Sequence, residues 1–216
     1  MSTSSLLHNL AFIFPLMLSL SVHEWAHAYS ASVLGDDTAE RMGRLTLNPL
    51  AHIDPIGTLL LPLLGVPFGW ARPVPVNPAR FSRKVNMSTG MMLTAVAGPF
   101  SNLVLALVCA VLLGLMSRFG IRHQAMEWLL AVGLQLNIAL ALFNMLPIPP
   151  LDGSRVADGL MPRPLRPMWE RFARVGPLVL LAVIFILPRF GVDLLAWPFA
   201  QVTGAAISVL RVVQGA

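Results

Sequence analysis

The chain is short of charge. Only 12% of its 216 residues are Asp, Glu, Lys or Arg, about half the ~25% usual for a soluble domain. Cysteine is nearly missing as well. Cys109 stands alone in an apolar run, which excludes an internal disulfide and a metal site built from thiolates. Lys84 is the sole lysine, so the net charge of +5 comes mainly from arginine. Arginines scattered between oily runs fit loop orientation at a bilayer and give no sign of nucleic-acid binding. Internal repeats and low-complexity linkers are lacking too. The expectation is one domain over residues 1–216, with no separate signal peptide and no sizeable soluble appendage.

What the chain has instead is apolar surface. Hydrophobic residues make up 56%, and mean hydropathy is +0.73. This predicts an all-α, multi-pass integral membrane protein. Residues 6–34 read as one helix with Pro15 inside it, ended by Gly35-Asp36-Asp37. Residues 43–49 alternate as a short strand would. Residues 56–66 are apolar but too few to span, which predicts a re-entrant segment. Residues 69–78 hold too many prolines for a helix, so an edge strand or extended loop carrying Val74 and Val76 is expected. Residues 88–117 are the clearest span, with small Gly90, Thr94, Ala97 and Gly98 suited to close helix packing. Residues 127–146 follow as another span, and 147–174 as a basic, proline-rich connection. Residues 175–187 and 192–213 then supply the C-terminal membrane segments, at about 175–213. The total is five to six membrane segments, including the re-entrant one and a small extended or β element.

Within the first helix stands His23-Glu24-Trp25-Ala26-His27. The two histidines are one turn apart, so their imidazoles project from one face. That arrangement suits two nitrogens converging on a tetrahedral zinc, with Glu24 beside them as general base. Polar groups at such depth in an apolar segment call for a functional reason. A catalytic zinc needs a third protein ligand. His8 lies about 22 Å up the helix from His23, His123 stands in a polar turn, and Asp36, Asp37 and Glu40 read as turn or surface residues. His52 and Asp54 flank the re-entrant segment. Asp152 is the strongest candidate, because it follows a helix that breaks at Pro147, and unwound backbone at membrane depth is tolerated where it lines a cavity.

Topology supports that choice. The motif lies in the later half of its helix, so Asp152 must emerge on the side where residue 34 emerges. Two crossings, 88–117 and 127–146, bring it there. Residues 35–87 and 147–174 hold most of the arginines, and only Arg118 and Arg122 lie opposite. The positive-inside rule then puts the metal side toward the cytoplasm.

Together these residues resemble the site-2 protease family of intramembrane zinc metalloproteases. His23-Glu24-x-x-His27 and Leu151-Asp152-Gly153 match its metal-binding elements. Gly98-Pro99-Phe100-Ser101-Asn102 matches its Gly-Pro-x-x-Asn element, and Asn144 its Asn-x-x-Pro element. Residues 44–49, 52–55 and 73–77 look like its compact bacterial branch. The resemblance covers roughly residues 10–160, the expected catalytic core being about 6–160. It implies one Zn2+ per chain on His23, His27 and Asp152, with Glu24 as the catalytic base. It also implies transmembrane protein substrates, an accessory regulatory membrane protein, and residence in a bacterial cell membrane. Asn102, Asn144, Val74 and Val76 are the candidates for holding substrate. Leu151 stands where the family commonly has proline, a change expected to alter local backbone and leave ligation intact. No inserted PDZ module and no C-terminal nucleotide-binding module is expected.

Plainer readings stay open at this level. Asp152 suits a helix cap, Asn102 an interhelical tie, Asn144 a partner for carbonyls freed near Pro147, and His52 and Asp54 a loop clasp. Two other functions use the same residue types: a metal or proton transporter, and a catalytically inactive membrane scaffold.

Overall fold

The structure, a computed structural model, describes residues 3–66, 69–193 and 196–214, with the main chain only for 3–8 and 197. Helix α1 (Thr3–Val33) contains Pro15, whose carbonyl accepts a hydrogen bond from Ser19 Oγ at 2.8 Å. A single turn, α2 (Thr38–Arg41), follows. A π-helical turn over Pro55–Leu60 runs into the short α3 (Leu61–Leu63). Helix α4 (Met87–Arg118) starts where Asn86 Oδ1 accepts the Thr89 N–H, and α5 (Gln124–Asn144) starts behind the His123 cap. After it come α6 (Asp152–Leu160), α7 (Arg166–Leu181) and α8 (Ala196–Gln214).

Helices α1, α4 and α5 pack together as the central bundle. Leu16 and Leu20 of α1 meet Ala71 and, from α5, Leu136 and Leu140. Ala106, Cys109 and Ala110 of α4 meet Leu130, Leu134 and Ile138 of α5, with Phe199, Val202 and Ala206 of α8 against them. Cys109 is therefore a small core residue. Small side chains at this seam let the helices approach, as expected where lipid removes the hydrophobic drive for association.

Among the described residues three helical runs are long and apolar enough to cross a bilayer: Met87–Arg118, Gln124–Asn144 and Arg163–Phe190. The third has 6% of its most apolar stretch buried within the molecule, so that run faces its surroundings. The expected total of five to six membrane segments goes beyond these three. Residues 55–63 are helical and too short to cross.

Three sequence expectations change. Among the described residues no strand forms, either at 43–49 or at 69–78. Residues 69–77 do run without helix, but side chains take the place of a ladder. The Arg72 N–H donates to the His52 carbonyl, and the Arg44 guanidinium, buried, donates to the carbonyls of Arg72, Pro73 and Ala51. Asp36 accepts the Asn77 N–H at 2.6 Å and is fully buried, not a surface turn residue. Pro73, Pro75 and Pro78 further thin out the donors a strand partner would need. The connection 147–174 is also largely helical, through α6 and the start of α7.

Candidate metal centre

A polar cluster joins α1 to the start of α6. His23 Nε2 and His27 Nε2 are 3.0 Å apart, and Asp152 Oδ2 lies 3.1 Å from the first and 3.2 Å from the second. Both histidines are buried. Ligands held about 2.0–2.1 Å from a tetrahedral zinc are separated by about 3.3 Å. The triangle is therefore nearly that of three zinc ligands, slightly contracted.

Proton accounting points the same way. The Thr94 carbonyl lies 2.7 Å from His27 Nδ1 and can only accept, so Nδ1 carries the proton and Nε2 presents a lone pair. His23 Nδ1 is 2.5 Å from Asn102 Oδ1, again an acceptor. Three acceptor atoms so close require positive charge among them. A proton serves two of them at once, whereas a divalent ion serves all three. The donor set of two imidazoles and one carboxylate, with a fourth direction open, fits a catalytic zinc.

Local packing makes the triangle attainable. Gly98 of α4 lies against both imidazoles, and a Cβ there would collide with the His27 ring. Gly153, next to the aspartate, lies against the Met145 carbonyl with the same consequence. Helix α6 begins with Leu151 in extended geometry and no side-chain cap, so the Asp152 carboxylate is aimed at the histidines and not at its own helix end.

Glu24 and the extended strip form the rim. Glu24 Oε2 accepts the Val74 N–H at 2.7 Å. Beside it opens a cleft of about 400 Å³ lined by Glu24, Val74, Val76, Phe143, Asn144 and Arg155 among others, with His23, His27 and Asp152 in its wall. Of the expected substrate-holding residues, Asn144, Val74 and Val76 line this cleft. Asn144 also donates to the Leu140 carbonyl at 3.0 Å. Asn102 does not line it. It is fully buried behind His23, and its amide is spent on His23, Asn137 and the Ser19 carbonyl. His52 donates to the Thr46 carbonyl, and Asp54 caps the turn at Pro55 through the N–H groups of Ile56 and Gly57. Both clasp loops away from the triangle, and His8 is among the residues described by main chain only. Sequence reasoning missed Asn137 and Thr94 as partners of the site. Asn137, a polar residue inside the apolar run of α5, was the available signal.

Comparison with known proteins identifies the family of the chain. The model of peptidase family M50 matches residues 116–187, a window that includes Asp152. A Bacillus subtilis protein named "Putative zinc metalloprotease YwhC" is 44% identical over 181 residues, covering 82% of this chain and 80% of that one. Two mycobacterial proteins named "Putative zinc metalloprotease Rip2" are also similar. The one from Mycolicibacterium smegmatis is 32% identical over 191 residues, covering 85% of this chain and 70% of its own. The one from Mycobacterium tuberculosis (strain H37Rv) is 33% identical over 176 residues, covering 80% and 65%. No solved structure matches the chain. Identity at this level across most of both chains reflects common descent, and the chain belongs to peptidase family M50, the site-2 protease family of membrane zinc metalloproteases.

Proposed function

We propose that this protein is an intramembrane endopeptidase that hydrolyses peptide bonds in or near the transmembrane segments of other membrane proteins. The observation that carries the reading is the His23–His27–Asp152 triangle set into the wall of a cleft with Glu24 at its rim. One zinc ion per chain, held by those three residues, would supply Lewis-acid polarisation of the scissile carbonyl and activation of water.

The chain's own residues do the rest. Glu24 takes a proton from the attacking water and delivers it to the leaving amine. Its hydrogen bond to the Val74 N–H keeps the carboxylate facing the cleft while the second oxygen remains for proton transfer. A transmembrane helix hides its carbonyls in its own hydrogen bonds, so the substrate must be unwound locally. The strip over residues 72–77 offers an extended template for the unwound chain, with Val74 and Val76 beside it and Asn144 across the cleft as an amide partner. With α4 and α5 as two crossings, Asp152 returns to the side on which α1 ends. The arginine-rich segments share that side, so the cleft opens toward the cytoplasm. Selection of substrate, and any accessory membrane protein that gates it, acts at this opening.

The test is reconstitution in lipid vesicles with zinc and a panel of transmembrane peptides. Wild type should cleave, whereas Glu24→Gln should keep its zinc and lose roughly 10²–10⁴-fold in rate. Equal cleavage by both proteins refutes the assignment. Zinc flux that survives Glu24→Gln, without cleavage, would establish transport in its place.

A further inference from the structure

We propose that Asn137, on α5 and outside the cleft, is a positioning residue of the metal centre: it sets the amide orientation of Asn102 and through it the tautomer of His23. The inference rests on the reading of His23 as a zinc ligand.

The direction of each hydrogen bond follows from groups that have no choice. The Gly133 carbonyl only accepts, so the Asn137 group 2.8 Å from it must be the Nδ2 amine. The same Nδ2 lies 2.9 Å from Ser19 Oγ. That hydroxyl has one proton and donates it to the Pro15 carbonyl, so toward Asn137 it accepts. Two independent neighbours thus demand a donor, and Asn137 Oδ1 is turned toward Asn102. There it faces Asn102 Nδ2 at 2.6 Å. Asn102 Oδ1 is consequently left for His23 Nδ1 at 2.5 Å. An amide oxygen accepts only, so the His23 proton is on Nδ1 and Nε2 is free for a metal.

Reversing Asn102 reverses the outcome. Its NH₂ would then face His23, Nδ1 would have to be bare, and the proton would move to Nε2, where it points at His27 and Asp152. Water cannot substitute for the missing instruction, because Asn102, Ser19 and Asn137 are 0%, 1% and 1% exposed. The relay also spans all three central helices, so bundle assembly and ligand tautomer are set by the same bonds. The Ser19 carbonyl also faces Asn102 Nδ2, but at 3.5 Å against 2.6 Å for Asn137 Oδ1, so the bond to Asn137 is the stronger of the two that turn the Asn102 amide.

The experiment compares Asn137→Leu with Asn137→Asp in the full chain in detergent, reading zinc affinity by chelator competition and the ligand field by Co2+ absorption. A buried, protonated aspartic acid keeps an oxygen acceptor toward Asn102 and an O–H for Gly133, whereas leucine keeps neither. Asn137→Leu should bind zinc about 10–100-fold more weakly, the usual cost of losing an outer partner of a ligand, and should shift the Co2+ spectrum. Asn137→Asp should stay within a few-fold of wild type. If leucine prevents folding, Asn137→Ala is read the same way. Wild-type affinity in the leucine or alanine variant overturns the proposal, as does an equal loss in Asn137→Asp. If wild type itself fails to bind zinc, the metal-centre reading falls first, a result distinct from failure of the relay alone.

Discussion

Replacing Gly98 with alanine tests the packing of the metal centre most directly. Glycine in the interior of a helix usually costs roughly 0.5–1 kcal/mol relative to alanine, so a Gly→Ala change in α4 would ordinarily stabilise. Here the added Cβ falls 2.5 Å from His27 Cε1 and 2.7 Å from His23 Cε1. Comfortable carbon contacts start near ~3.5 Å, so each ring must retreat by about 1 Å. The rings cannot simply swing away, because Thr94 and Asn102 hold their Nδ1 atoms. Overpacking of this kind costs typically ~1–3 kcal/mol, and a misplacement of about 1 Å at a reacting centre can cost ~10²-fold in rate. Gly204 of α8 is the control, since a Cβ there meets nothing within 4 Å. Zinc affinity and peptide cleavage should fall together in Gly98→Ala and stay level in Gly204→Ala. Undiminished affinity and rate in Gly98→Ala would refute the claim that the ligand triangle is set by this helix contact.

Further outcomes follow from the same contacts. Asp152→Ala should abolish stoichiometric zinc in metal analysis, because it removes one corner of the triangle; full retention would reject it as a ligand. Gly153→Ala should lower the thermal midpoint, since its Cβ meets the Met145 carbonyl, and should also weaken zinc by moving Asp152. At Asp37, desolvation opposes ionisation, but Arg41 and Arg80 outweigh it and hold the carboxyl below its ordinary value. A depressed folded-state pKa gives stability that is present above the unfolded value, ~3.9, and is lost as pH falls through the folded one. The stability gap between wild type and Asp37→Asn should therefore be small at neutral pH, as for an exposed pair, and should close in acid thermal melts. A gap that widens with acid would contradict the pairing.

Several features of the site were legible in the residues. Spacing alone put His23 and His27 on one face, because a helix repeats every 3.6 residues. Parity of crossings and the break at Pro147 brought Asp152 to the same side. The structure assembles these three and places Glu24 at the cleft rim. Asn102 was legible as a polar residue in a span but not as the partner of His23, since which way a buried amide points depends on neighbours 35 and 83 positions away in the chain. The extended strip was legible from its prolines. Its lack of strand pairing was not, because Asp36, Arg44 and Glu24 satisfy its backbone from separate elements.

What the sequence by itself determined is therefore local and compositional: long apolar helices, a two-histidine face with a carboxylate beside it, and an aspartate at a helix break. These depend on periodicity, hydrophobicity and turn chemistry, which act over a few residues. The tertiary structure alone decided which atoms of those residues face the metal position. Ring tautomers, the 3.0–3.2 Å triangle and the room left by Gly98 arise only when α1, α4, α5 and α6 are packed together. Hydrogen-bond direction in a buried network is a property of the assembled bundle, because each group's proton is assigned by the partner it meets there.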